Sequence, residues 1–165
     1  MPVTTEVRVR YAETDQMGVV YYANYLVWFE IGRVEVLRTL GLTYGQLEKE
    51  HDCILPVVEA NCRYRSPARY DDRILIEAWP AVLRSFVIKF AYRIWRKPSD
   101  SHPDSVPTLL AEGETVHVIC DSQMKKKTLP PHYADALRTI MAIEKSVSSG
   151  KAGGFLIGDP SMGPG

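Results

Sequence analysis

Residues 25–40 read YLVWFEIGRVEVLRTL, and the fold turns on what this run becomes. It is too long and too uninterrupted for an ordinary strand, and Gly41 follows as a stop, so the spacing predicts a helix from Tyr25 to Leu40. Placed at about 100° per residue, its apolar members Leu26, Val27, Trp28, Phe29, Ile31, Val34, Val36, Leu37 and Leu40 fall in nearly every quadrant. Such a helix is expected to be buried almost all round. That requires the rest of the chain to wrap it.

The flanking sequence supplies the wrapping. Upstream, VTTEVRVRY (residues 3–11) alternates Val7, Val9 and Tyr11 against Glu6, Arg8 and Arg10, the period of a half-buried strand. Just downstream, Thr43 and Gln46 are spaced as a capping box for a short second helix. Alternation then resumes. Val58, Ala60, Cys62 and Tyr64 define one strand, and Ile74, Ile76 and Ala78 define a second beyond the turn SPARYDD. Phe86, Ile88, Phe90, Tyr92 and Ile94 mark a third, and LLAEGETVHVIC (residues 109–120) a fourth. Between the last two, PSDSHPDSVP is loop, the tip of a long hairpin. Pro130 and Pro131 open a C-terminal helix through Ala134, Leu137, Ile140, Met141 and Ile143. From Ser146 onward Gly, Ser and Pro dominate, so the sequence divides into a domain at residues 1–145 and a disordered tail at 146–165. A strand, a buried helix and then antiparallel strands make an α+β domain whose sheet wraps a central helix. Its open sheet edge invites self-association, through the first long strand or through the helix face.

Composition narrows the functions. The 165 residues carry 20 basic and 20 acidic side chains, a formal charge of zero, so neither nucleic acid nor an anionic membrane is called for. Neither a membrane span nor a secretory leader is apparent, which makes a cytoplasmic protein the default. Cys53, Cys62 and Cys120 are odd in number and lack CxxC spacing, which argues for buried free thiols over disulfides or a zinc site. His51, His102, His117 and His132 show no metal spacing and read as surface or satisfied core residues.

Ahead of the helix stands DQMGVVYYANY (residues 15–25), a carboxylate placed before a stretch that looks buried. The block RVRYAETDQMGVVYYANYLVWFEIGR, with Arg8, Val9, Thr14, Asp15, Gly18, Val19, Val20 and Ala23 to Tyr25, resembles the active-site signature of hotdog-fold acyl-CoA thioesterases of the 4-hydroxybenzoyl-CoA thioesterase family. LPVVEANCRYRSPARYDD and the RSF at Arg84 to Phe86 resemble further blocks, and the likeness spans about residues 5–140. It implies a five- or six-stranded antiparallel sheet around one long helix, assembled as a homodimer or as a homotetramer of two dimers. It implies an acyl- or aroyl-CoA substrate, hydrolysed to free acid and coenzyme A, with no metal or redox cofactor.

The resemblance also assigns roles. Asp15 becomes the general base or nucleophile, and the backbone N–H of Tyr22, at the positive end of the helix, the donor to the developing oxyanion. Many relatives have His where this chain has Tyr22; a phenol, with a reference pKa of about 10, is no base at neutral pH, so the chemistry falls to Asp15 alone. Arg84, Ser85 and Lys126 are the candidates for holding the coenzyme A phosphates at the pocket mouth. Taken singly, each basic residue reads as a solvated charge, Asn24 as a cap for free helix amides, and Glu59 as outward-facing. Tyr21, Tyr22, Tyr25, Trp28 and Phe29 supply a wall suited to an aromatic or short branched acyl group. Two other functions fit a hotdog domain. A hydratase or dehydratase generally wants a His beside its acid, and the Asp15 block has none; a non-catalytic acyl-CoA-binding or protein-interaction module is disfavoured by the intact Thr14, Asp15 and Gly18.

Overall fold

The computed structural model describes residues 2–150, with side chains through residue 145. Five strands form one antiparallel sheet: β1 (Val3–Arg8), β2 (Val57–Tyr64), β3 (Arg73–Arg84), β4 (Val87–Arg96) and β5 (Thr108–Val118). Their spatial order is β1-β3-β4-β5-β2. Helix α1 (Asn24–Thr39) packs across β3, α2 (Tyr44–His51) follows it, and α3 (Pro131–Gly150) also lies on β3. This is the expected hotdog arrangement.

Alternation decides which strand face meets the helix. In register across β3 and β4, Ile74, Ile76 and Ala78 and then Ile88, Phe90, Tyr92 and Ile94 turn inward and are almost fully buried. Against them α1 sets Trp28, Phe29, Val36 and Leu37, and the Phe29 ring stacks on Tyr92 with centroids 4.3 Å apart. Gly113 makes room for that stack. A Cβ there would stand 2.2 Å from the Asn61 carbonyl and 2.9 Å from the Phe29 ring. On the outer face, charges of opposite sign pair across neighbouring strands: Arg73 with Glu6 at 2.9 Å, Arg93 with Glu77 at 3.2 Å, Lys89 with Glu114 at 3.2 Å.

Several local expectations differ from the structure. α1 is not buried all round: Val27 is 47% and Leu26 42% exposed, and Val27, Glu30, Ile31, Val34, Glu35 and Arg38 line a shallow groove of about 340 Å³. The sheet curls over one side of the helix and leaves the other uncovered, whatever residues stand there. β1 stops at Arg8, because the buried Glu13 carboxylate accepts the Arg10 N–H at 2.8 Å and closes a 3-10 turn over Tyr11–Glu13, leaving Tyr11 78% exposed. Asn24 is the first helical residue and caps nothing; its Nδ2 donates instead to the Glu13 carbonyl at 2.9 Å. The Thr43 and Gln46 capping box is present as expected. At the C-terminus the backbone of 146–150 continues α3, and the rest of the expected tail, 151–165, lies outside the described residues.

The core also holds a polar chain. The His117 Nδ1–H donates to the Leu55 carbonyl at 2.9 Å, so Nε2 is left to accept from the Thr115 hydroxyl at 2.8 Å, and Thr115 in turn accepts from Tyr92 at 2.6 Å. Every member is satisfied, which is why a fully buried His is tolerated. Burial holds the His117 imidazole below its ordinary pKa, only partly offset by the Leu55 bond.

Candidate active site

Asp15 sits in a loop that its own backbone closes. The Asp15 N–H donates to the Val19 carbonyl at 2.9 Å and the Gly18 N–H to the Asp15 carbonyl at 3.0 Å, while Thr14 and Val20 pair as an isolated bridge. Gly18 has φ 78°, a conformation that other residues adopt only with strain, so the tight reversal depends on it. One carboxylate oxygen, Oδ1, accepts the Met17 N–H at 2.9 Å, which fixes the side chain, and the acid is half-buried. The Val20 N–H then donates to the Ala68 carbonyl at 2.8 Å, tying the loop to the segment after β2.

From Val20 the chain runs straight into α1. The Tyr21 N–H is taken by the Glu13 carbonyl and the Asn24 N–H by the Tyr21 carbonyl. Between them, the Tyr22 and Ala23 N–H groups have no hydrogen-bond partner among the described residues. A free amide at a helix entrance is a site of positive potential, suited to an oxyanion.

Asp15 and Tyr22 line the same pocket. Asp15, Met17, Val19, Val20, Tyr22, Tyr25, Tyr64, Arg65, Ser66 and Pro67 enclose a cavity of about 300 Å³, apolar for most of its wall. Three expected wall residues are not there, the first being Tyr21, which is exposed and outside the lining. Trp28 and Phe29 lie in the core, 1% and 0% exposed, because their helical positions face the sheet. Their place is taken by Tyr64, Pro67 and Met17, which the linear sequence did not single out. The signal for Tyr64 is its alternation with Arg63 and Arg65, which puts its ring on the helix side at the last position of β2.

Arg84, Ser85 and Lys126 are brought together, but far from Asp15. Arg84 ends β3, Ser85 takes φ 37° at the tip of the β3–β4 turn, and Lys126 bridges to Cys120 beyond the end of β5; all three are exposed. In β5 register, Tyr64 stands at Ala111 and the β3–β4 turn at Val118. Seven residues at about 3.4 Å each separate the two groups by roughly 24 Å along the sheet. Lys127, beside Lys126, donates instead to the His51 and Asp52 carbonyls at the end of α2. Among the described residues no group of His, Cys, Asp or Glu is arranged to hold a metal ion, and no helix is long and apolar enough to cross a membrane.

Residues 17–101 match the model of the thioesterase superfamily. The chain belongs to that superfamily. The thioesterase is 35% identical over 121 residues to the acyl-CoA thioesterase YbgC of Haemophilus influenzae, covering 73% of this chain and 82% of the relative. It is 31% identical over 140 residues to the 1,4-dihydroxy-2-naphthoyl-CoA hydrolase of a Picosynechococcus strain, covering 84% and 93%. Among solved structures it resembles the hypothetical protein TT1821 of Thermus thermophilus, with a TM-score of 0.73 and 35% identity over 83% of this chain and 98% of that one. The matched span begins two residues after Asp15, so the acid rests on the geometry of its loop.

Proposed function

We propose that the thioesterase hydrolyses acyl-CoA thioesters with one carboxylate, Asp15, and one amide, the Tyr22 N–H. The observation that carries this reading is that Asp15 and Tyr22 line the same 300 Å³ pocket, the acid held by Met17 and the Tyr22 amide without a partner among the described residues. The thioester carbon sits between them. Either Asp15 takes a proton from water as the water oxygen bonds to that carbon, or its own oxygen bonds there to give an anhydride that water then opens. In both routes the carbonyl oxygen becomes an oxyanion that accepts the Tyr22 N–H, the C–S bond breaks, and the thiolate of coenzyme A leaves and takes up a proton. Val19, Val20 and Tyr25 keep the reacting carbon away from bulk water.

The tyrosine-lined wall favours a flat aromatic acyl group, as does the likeness to a relative named for a naphthoyl-CoA ester. Hydration chemistry lacks its imidazole: among the described residues no His lines the pocket, and both nitrogens of the buried His117 are engaged.

The working form is a homodimer, or a homotetramer built from it, in the cytoplasm, where coenzyme A esters are made and where the free cysteines stay reduced. β2 is an edge strand with Val57 47% and Val58 58% exposed. Two copies joined edge to edge through β2 about a dyad run antiparallel, which sets the Val57 end of one beside the Tyr64 end of the other. Arg84, Ser85 and Lys126 of one copy then flank the Asp15 pocket of its partner and meet the phosphates of coenzyme A there.

The test is Asp15→Asn beside Tyr22→Phe, assayed by thiol release over a panel of aroyl- and acyl-CoA esters. Asp15→Asn is expected to bind the ester and lose about 10²–10⁴-fold in turnover, while Tyr22→Phe, which keeps the amide, stays near wild type. Retention of more than about a tenth of the turnover in Asp15→Asn contradicts the assignment.

A further inference from the structure

Of the three tyrosines that line the pocket, Tyr64 alone comes from the sheet. Its hydroxyl donates to the Tyr22 carbonyl at 3.0 Å, and its ring stands edge-on to Tyr25 at 5.0 Å and to Tyr22 at 6.4 Å. The other bond to that carbonyl, from the Tyr25 N–H, is longer, at 3.3 Å. One peptide upstream, the Asn24 N–H holds the Tyr21 carbonyl at 3.0 Å. A trans peptide is planar, so the held Tyr21 carbonyl fixes the direction of the Tyr22 amide, and the held Tyr22 carbonyl fixes the next plane, which carries the Ala23 amide. The two peptides flanking Tyr22 are therefore both pinned, the first by the helix entrance and the second by a side chain 42 residues away.

We propose that Tyr64 is a positioning residue for the oxyanion site: its hydroxyl holds the peptide after Tyr22 from the end of β2, so that the turn carrying the free Tyr22 amide stays aimed at the thioester oxygen. Tyr64 touches no reacting atom in this role. Its phenol keeps its proton for the purpose, since burial first and the Cys62 thiol next push it well above its ordinary value. Without the bond, the Tyr22 carbonyl keeps only the longer Tyr25 contact, and the turn gains freedom just where a preorganised donor must have none.

The inference rests on the Tyr22 amide being the oxyanion donor, and the experiment separates the two. Tyr64→Phe keeps the ring and removes one uncharged hydrogen bond, so kcat is expected to fall about three- to tenfold with KM within about twofold and an unchanged melting temperature. Two coenzyme A analogues give a readout that a merely structural role does not move. A trifluoromethyl ketone, whose hydrate places an anionic oxygen at the thioester position, is expected to bind more weakly to Tyr64→Phe by the same factor. An S-alkyl thioether, with no carbonyl, is expected to bind unchanged. An unaltered kcat, an early melt with unaltered preference between the analogues, or an equal loss for both analogues overturns the role of Tyr64. A near-normal kcat in Tyr22→Pro overturns instead the reading beneath it.

Discussion

At one end of the sheet, where Tyr64, Ala111, Ile94 and Ile76 stand in register, the chain builds a closed loop around one acid and an amide without a partner. At the other, where Val57, His117, Ile88 and Leu83 stand in register, it builds a hairpin tip with exposed Arg84 and Ser85 and sets Lys126 nearby. The first end is ordered by backbone hydrogen bonds at nearly every residue from Glu13 to Tyr21; the second presents side chains to water. Rigidity belongs where charge develops in a transition state, whereas phosphates tolerate long flexible cations. In the proposed reading, a single chain holds both parts of a coenzyme A ester site at opposite ends. The open β2 edge, in the proposed dimer, lets them meet.

Beside loss of the acid itself, Tyr22→Pro strikes the ordered end hardest. Tyr22 stands two residues before the first helical residue and its amide has no partner among the described residues, so proline deletes the donor without breaking a helix bond, and kcat is expected to fall about 10²–10³-fold in steady-state assays. Circular dichroism and melting checks that the helix entrance survives. A near-normal kcat means that the oxyanion is held elsewhere.

At the basic end the expected change is smaller and of another kind. Arg84→Ala and Lys126→Ala each should raise KM about three- to tenfold with kcat unchanged, and the effect should shrink as salt screens the phosphates. A drop in kcat with KM unmoved contradicts a purely binding role.

The third contrast concerns protons. His117 lies in the core near the basic end and is depressed below its ordinary 6.5, so the unfolded chain binds a proton there more readily than the folded one. Its contribution to stability is therefore fully present above about pH 6.5 and is lost as the pH falls through the lower folded value. Arg33 adds to the depression, and Phe90, Thr115 and Tyr92 face the ring as neutral groups. Urea denaturation against pH should show this loss above the range where Glu6 and Asp52, both held below their ordinary values by their hydrogen bonds, lose theirs. His117→Gln should flatten that upper limb while the pH–rate profile stays the same. A matching shift in the pH–rate profile implicates His117 in the chemistry.

What the sequence made legible follows from how far apart the deciding groups are. The capping box of Thr43 and Gln46 and the alternation of Ile74, Ile76 and Ala78 are set by neighbours a few residues away, and both appear as expected. The same holds for the Asp15 loop, whose Gly18 and Met17 contacts are local. Tyr64 was not legible as a pocket residue, because its partner Tyr22 is reached only through the β2–β5 register and the path of α1. Trp28 and Phe29 were misplaced for the converse reason: an aromatic run beside the acid looks like a wall until the helix phase turns two of its rings into the core. The outer face of α1 mixes Val27, Ile31 and Val34 with Glu30, Glu35 and Arg38, and the sheet does not reach it. Arg84, Ser85 and Lys126 lie toward the end of the sheet away from Asp15, and only in the proposed dimer does that end meet the acid of a second copy.

Subunit mixing tests that dependence most directly. Asp15→Asn and a double variant, Arg84→Glu with Lys126→Glu, are each expected to be nearly inactive at substrate concentrations well below KM. Co-refolded in equal amounts, half of the dimers are hybrids. If each pocket takes its acid from one copy and its cations from the other, every hybrid has one pocket carrying all the changes and one carrying none, and about a quarter of wild-type activity should return. If both parts come from the same chain, every pocket in the mixture keeps a defect, and activity stays at the level of the two parents.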